Sequence, residues 1–135
     1  VADLKARSRD RWRQRGYHVE NGETMMRAPG GIVRRHDIFG FTDLLCIPEP
    51  ETAVRLSSPF WIWLQSTSWA NVSSRLRKIQ RETVGAGQWE RPIHELARRV
   101  LERGDRILIE GWRKKKNGRY EVRERWVVLE DLVEG

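Results

Sequence analysis

The chain has 135 residues, 39% hydrophobic and 33% charged, with 26 Lys and Arg against 19 Asp and Glu and a formal net charge of +7. That length suffices for one domain, residues 1–135, with its own core, and the single Cys46 excludes a disulfide framework or a cysteine-rich zinc site, so a reducing cytoplasmic setting is expected. No apolar run approaches the roughly 20 residues that span a bilayer and the N-terminus has no signal-peptide apolar segment, so no membrane partner is expected; 21 of the 26 cations are Arg, whose planar fork suits phosphate, and a polyanion is.

Asp3 to Arg15 contains no Gly or Pro and closes on Gly16, which predicts a helix with a narrow apolar stripe and many Arg. Tyr17–Glu20 and Thr24–Arg27 read as short extended pieces around the turn signal Asn21-Gly22, and 28–31 (APGG) as a loop. Phe41–Ile47, bounded by Gly40 and Pro48, reads as a buried strand interrupted near its middle by Asp43, and PEPET after it as a surface turn. Phe60–Leu64 is apolar on both faces, as an inner strand covered by helices on two sides would be.

Asn71 is placed to cap a helix from Val72 to about Thr83, with Val72, Leu76 and Ile79 on one face and Arg75, Arg77, Lys78 and Arg81 around the rest. Pro92 sits where a further helix should begin, and Ile93, Leu96, Ala97, Val100 and Leu101 give its stripe up to Gly104. Arg106–Trp112 and Arg119–Val128 are predicted strands joined by a two-residue turn at Asn117-Gly118.

In FWIWLQSTSW, alternation puts Trp61, Trp63, Gln65 and, if the strand continues, Thr67 on one face. Trp61 and Trp63 are expected to cover this face under the N-terminal helix. Asp43, on a preceding strand of the same sheet, needs a cation, because an unpaired buried carboxylate costs several kcal/mol.

RRHDIFGFTDLLCI followed by LQSTSWANVSSRLRKI, with the closing hairpin ILIEGWRKKKNGRYEVRE, resembles a group of small phage and bacterial proteins related to the PD-(D/E)xK nucleases. The resemblance implies an α/β fold, the restriction-endonuclease-like core: a mixed central β-sheet flanked by α-helices, with the active site at one end of the sheet. It implies a metal-dependent DNA endonuclease, structure-selective or junction-resolving, with a DNA-binding protein that has lost catalysis as the alternative. Carried over by motif, Asp43 is the acid, Gln65 stands at the position of the second acid and Thr67 at that of the lysine. Mg²⁺ or Mn²⁺ would then be held by Asp43, the Gln65 amide oxygen and the Ser66 carbonyl, all hard oxygen donors. Asp37 is the further carboxylate that can join them, and His36 beside it reads as a ligand, a base or a phosphate contact.

Thr67 carries no charge, so the missing cation must come from elsewhere, with Lys78 the first choice and Arg75 the second. Arg7, Arg11 and Arg15 recur at i, i+4 as one ridge; with Arg34, Arg35, Arg75, Arg77, Lys78 and the hairpin residues Lys114, Lys115 and Lys116 they form the expected contacts to duplex or branched DNA. Trp69 and Trp89 are candidates for stacking on an unpaired base or for a homodimer contact, while His18 and His94 read as surface residues.

Overall fold

Asp3 caps the first helix, α1 (Leu4–Gln14), by accepting the Ala6 amide on its carboxylate at 3.0 Å, and Gly16 at φ +90° turns the chain out of it. The computed structural model describes residues 3–27, 33–37, 42–57, 60–80 and 93–132, the stretches 23–27 and 33–37 as backbone alone. The elements that follow α1 are β1 (Tyr17–Asn21), β2 (Glu23–Arg27), β3 (Val33–Asp37), β4 (Leu44–Pro48), α2 (Pro50–Leu56), β5 (Ile62–Ser68), α3 (Val72–Gln80), α4 (Ile93–Glu102), β6 (Arg106–Lys114) and β7 (Tyr120–Val127). Short 3-10 turns lie at Trp69–Asn71 and Leu129–Leu132. Among the described residues no helix is long and apolar enough to cross a membrane.

The result is a mixed α/β fold around a five-stranded sheet of order β1-β4-β5-β6-β7, with β2 and β3 forming a separate hairpin. All neighbours in the large sheet are antiparallel except β5 and β6, which run parallel from Ile62↔Arg106 to Ser68↔Trp112. A parallel pair needs a crossover, and the chain supplies α3 and α4 as that connection. β5 is the middle strand of the five, as its two apolar faces predict.

One face of the sheet packs Leu44, Cys46, Ile62, Leu64 and Leu108 against Trp12 of α1. The other packs Trp63, Ile107 and Ile109 against Val72 and Ile79 of α3 and Ile93, Ala97 and Val100 of α4. Trp61 and Trp63 therefore lie under α3 and α4, opposite the N-terminal helix expected to cover them.

Several boundaries move from their predicted places. β1 and β2 do not pair with each other across Asn21-Gly22: β1 joins β4 and β2 joins β3, so Gly22 is the crossing between two sheets. The strand predicted over Phe41–Ile47 begins only at Leu44, which leaves Asp43 just before it rather than at its middle. β5 runs on through Gln65 to Ser68, because the polar residues still find ladder partners on β6. PEPET opens α2, with Pro50 in the first helical turn, where its missing N–H costs nothing. Asn71 ends a 3-10 turn rather than capping α3 with its side chain, and residues 81–83, 89 and 92 lie outside the described residues. The β6–β7 turn has three residues, not two: the Lys115 amide donates to Arg119 O at 2.7 Å and the Gly118 amide to Lys115 O at 3.0 Å, with Gly118 at φ +86°.

Candidate functional site

The geometry at Asp43 starts from Gly22. Its amide donates to Asp43 O at 2.5 Å, and a Cβ at this position would stand 2.6 Å from Thr42 O and 2.8 Å from Asp43 C. Only a residue without a side chain lets β1 cross that close to the Asp43 backbone. Asp43 then ties itself to β5 twice: its amide donates to Leu64 O at 2.9 Å, and its Oδ2 accepts the Ser66 amide at 2.9 Å. The carboxylate stands in for a ladder carbonyl at the point where β4 has not yet begun, and it is 9% exposed.

Gln65 and Thr67, between and beyond these two anchors, are 2% and 6% exposed. They alternate with Trp63 along β5, as the two-residue period predicts. Among the described residues the Gln65 Oε1 atom and the Thr42 Oγ1 atom are buried without a hydrogen-bond partner. An unmet buried acceptor costs about 1–3 kcal/mol; in the chain Thr42 directly precedes Asp43, and Gln65 directly precedes Ser66, whose amide Asp43 accepts.

Ser66 points to the opposite face and fastens the site to α1. Ser8 donates to Ser66 Oγ at 2.9 Å, Ser66 Oγ donates to Leu4 O at 3.0 Å, and the Trp112 indole donates to Ser8 Oγ at 2.9 Å. Directly across the ladder from Ser66 stands Glu110, which is fully buried. Its Oε2 accepts the Trp12 indole N–H at 2.7 Å and the Arg11 guanidinium, which also reaches Glu124 at 3.1 Å, while its Oε1 has no hydrogen-bond partner among the described residues. Burial holds the Glu110 carboxyl above its ordinary range, against the opposing pull of Ser8, Arg11 and Trp12.

Sequence reasoning passed over Glu110. The available signal was a carboxylate inside ILIEGW, where apolar residues on both sides predict a strand with no wet face.

The expected cations lie elsewhere. α3 starts above β6, where a Cβ on Gly111 would be 2.3 Å from Val72 Cγ2, and ends with Gln80 Nε2 donating to Asp131 O at 2.9 Å, so it runs back along the sheet. Arg75 and Lys78 stand about 4.5 and 9 Å along that axis from Val72, at 1.5 Å per residue. Arg75, Arg77 and Lys78 make no hydrogen bond or ion pair among the described residues, so neither Lys78 nor Arg75 is paired with Asp43 there.

The α1 ridge is turned onto the sheet. Arg7 lies over the Tyr120 ring at 3.7 Å, Arg11 bridges Glu110 and Glu124, and Arg15 lies over Trp12 at 4.3 Å and 3.8 Å from Glu124. Trp69 is covered by Arg113 at 3.8 Å, with Arg123 at 5.0 Å and its Nη2 donating to Trp69 O at 2.7 Å. Lys114, Lys115 and Lys116 are exposed at the β6–β7 end, Lys115 within 3.8 Å of Glu121. His94 is buried at 9% exposure, contrary to its surface reading, whereas His18 is exposed beside Glu20.

The side chains of Arg34, Arg35, His36 and Asp37 lie outside the described residues; the backbone sets Asp37 opposite Glu23, at the base of the hairpin that leaves Gly22. Among the described residues no three His, Cys, Asp or Glu side chains group to hold a metal. Compared with known proteins, the chain matches no family model, no curated protein and no solved structure.

Proposed function

We propose that the chain is a metal-dependent DNA endonuclease on a restriction-endonuclease-like core, cutting phosphodiesters at one end of its mixed sheet. The observation that carries this reading is the seating of the Asp43 carboxylate on the Ser66 amide, at 2.9 Å, next in the chain to Gln65, whose buried amide oxygen has no hydrogen-bond partner among the described residues. The donor set fits a hard divalent cation: one carboxylate, one amide oxygen and the Ser66 carbonyl, with Asp37 as the further acid. Mg²⁺ or Mn²⁺ held there would polarise a phosphoryl oxygen and offset its charge.

The chain's own part is to hold that geometry. Gly22 and the Ser66 amide fix Asp43 from two sides, Ser8 and Leu4 fix Ser66, and the Thr67 hydroxyl can donate to a phosphate oxygen without supplying charge. Loss of one preorganised donor at such a centre costs about 10²–10³ in rate. A nuclease with Thr67 in place of a lysine should therefore be slow, and its metal affinity should be low for want of a second carboxylate.

The test is cleavage of linear, flapped and four-way DNA with Mg²⁺ or Mn²⁺, beside Asp43→Asn, whose amide oxygen still accepts the Ser66 N–H. Metal-dependent cutting lost in Asp43→Asn supports the reading. A second reading, DNA binding without catalysis on the same fold, is favoured by the absence of an α3 cation paired at Asp43 among the described residues. Tight binding with no cutting on any substrate would establish it instead.

A further inference from the structure

We infer that duplex DNA is gripped by α3 and the β6–β7 arm, on either side of the end of β5, and that the arginine ridge of α1 is structural. The inference rests on the nucleic-acid part of the proposed function and is independent of whether cleavage occurs.

The charges divide by what they are already bound to. On α1, Glu110 and Glu124 take up Arg11 and Arg15, and Arg7 is spread on the Tyr120 ring. On α3, by contrast, Arg75, Arg77 and Lys78 face no acid in their own helix and have no partner among the described residues. At the arm, Glu121 is shared by Arg113 and Lys115, which leaves Lys114, Lys116 and Arg119 unengaged among the described residues.

These two free groups are mechanically joined. The β5 ladder stops at Ser68↔Trp112, but β6 and β7 continue paired to Lys114↔Tyr120, so the arm projects past the end of β5. Its root is fastened to the start of α3 through Trp69, on which Arg113 is stacked and whose carbonyl accepts from Arg123. From Lys78 to the turn, the free cations span about 20 Å, taking 1.5 Å per helical and 3.3 Å per strand residue. At one charge per 3.4 Å of strand, that is roughly six phosphates. Gln65 and Thr67 lie in the last four residues of β5, and Asp43 is bonded to the amide of Ser66 between them.

The experiment is duplex binding by fluorescence anisotropy without divalent metal, from low to moderate KCl, on the full chain and three variants. R75Q/R77Q/K78Q empties α3, K114Q/K116Q/R119Q removes the arm's unengaged cations, and R7Q/R15Q removes the two outer members of the α1 ridge while sparing the Arg11–Glu110 pair. Each triple should flatten the salt dependence by about two to three units, at roughly 0.9 per phosphate contact, and R7Q/R15Q should leave it nearly unchanged. Melting curves confirm that each variant is folded. A loss in R7Q/R15Q as large as in the triples, or no loss in either triple while the parent binds, overturns the inference. A parent that fails to bind at low salt overturns the nucleic-acid reading itself, and this inference with it.

Discussion

Arg11→Met would leave Glu110 buried and without its cation. The carboxylate is fully inaccessible, and of its Oε2 partners only the Trp12 indole at 2.7 Å would remain. Breaking a buried pair from one side costs about 3–5 kcal/mol, and the surviving indole bond argues for the lower figure, about 3 kcal/mol near pH 8. For a chain of this size that is a fall of about 10 °C in Tm.

The cost should depend on pH. Burial already holds the Glu110 carboxyl above its ordinary value, so the folded state binds that proton more tightly than the unfolded chain. Its contribution is therefore fully present below the ordinary carboxylate range and is lost as pH rises through the raised, folded value. Removing Arg11 takes away a charge that lowers that value, so the penalty should be smaller at acid pH, where the carboxyl is protonated, than at alkaline pH. Arg11→Met/Glu110→Gln should recover most of it. Urea unfolding of the parent, the two single variants and the double at pH 5 and pH 8 measures the coupling. A penalty equal at pH 5 and pH 8, or a double variant no better than Arg11→Met, would refute the reasoning.

Cys46 is fully buried, and burial, with Glu110 nearby, pushes its thiol up to about 12; it should stay unreactive to a thiol reagent at pH 8 until denaturant is added, as absorbance of the released chromophore reports. Gly22→Ala places a methyl 2.6 Å from Thr42 O, so the backbone at Asp43 must shift; we expect a loss of about 1–3 kcal/mol in urea unfolding and a larger proportional loss of any metal-dependent cleavage. Gln65→Glu supplies a second carboxylate beside Asp43 and should tighten Mn²⁺ binding by about tenfold or more in calorimetry. Without metal it should lower stability, since Gln65 is 2% exposed and the new charge would be buried.

Much of this architecture could be read from periodicity. The apolar stripe of α4 and the Asp3-to-Gly16 limits of α1 rest on local signals, and both helices fall within two residues of prediction. The bond between Asp43 and the Ser66 amide agrees with reading their strands as parts of one sheet. What escaped was tertiary. The partners of β1 and β2 depend on Gly22 fitting against Asp43, a contact that no turn signal encodes. The Arg ridge of α1 was visible as spacing, but its use depends on Glu110 and Glu124 arriving from the far end of the chain. Thr67 is buried and Lys78 is displaced along α3, which follows from the close seating of Val72 on Gly111 rather than from the order of residues in RLRKI.

The latch between α1 and Glu110 also says something about assembly. Trp12 and Arg11 are separated from Glu110 by 98 and 99 residues, whereas β6 and β7 meet across a three-residue turn. The hairpin can form within microseconds, with Glu110 still wet, whereas the contact with α1 closes nearly the whole chain and is the slower of the two. The acid thus loses its water at the step that first gives it an indole and a guanidinium. A chain without α1 would leave Glu110 with neither the indole nor the guanidinium that meets it here.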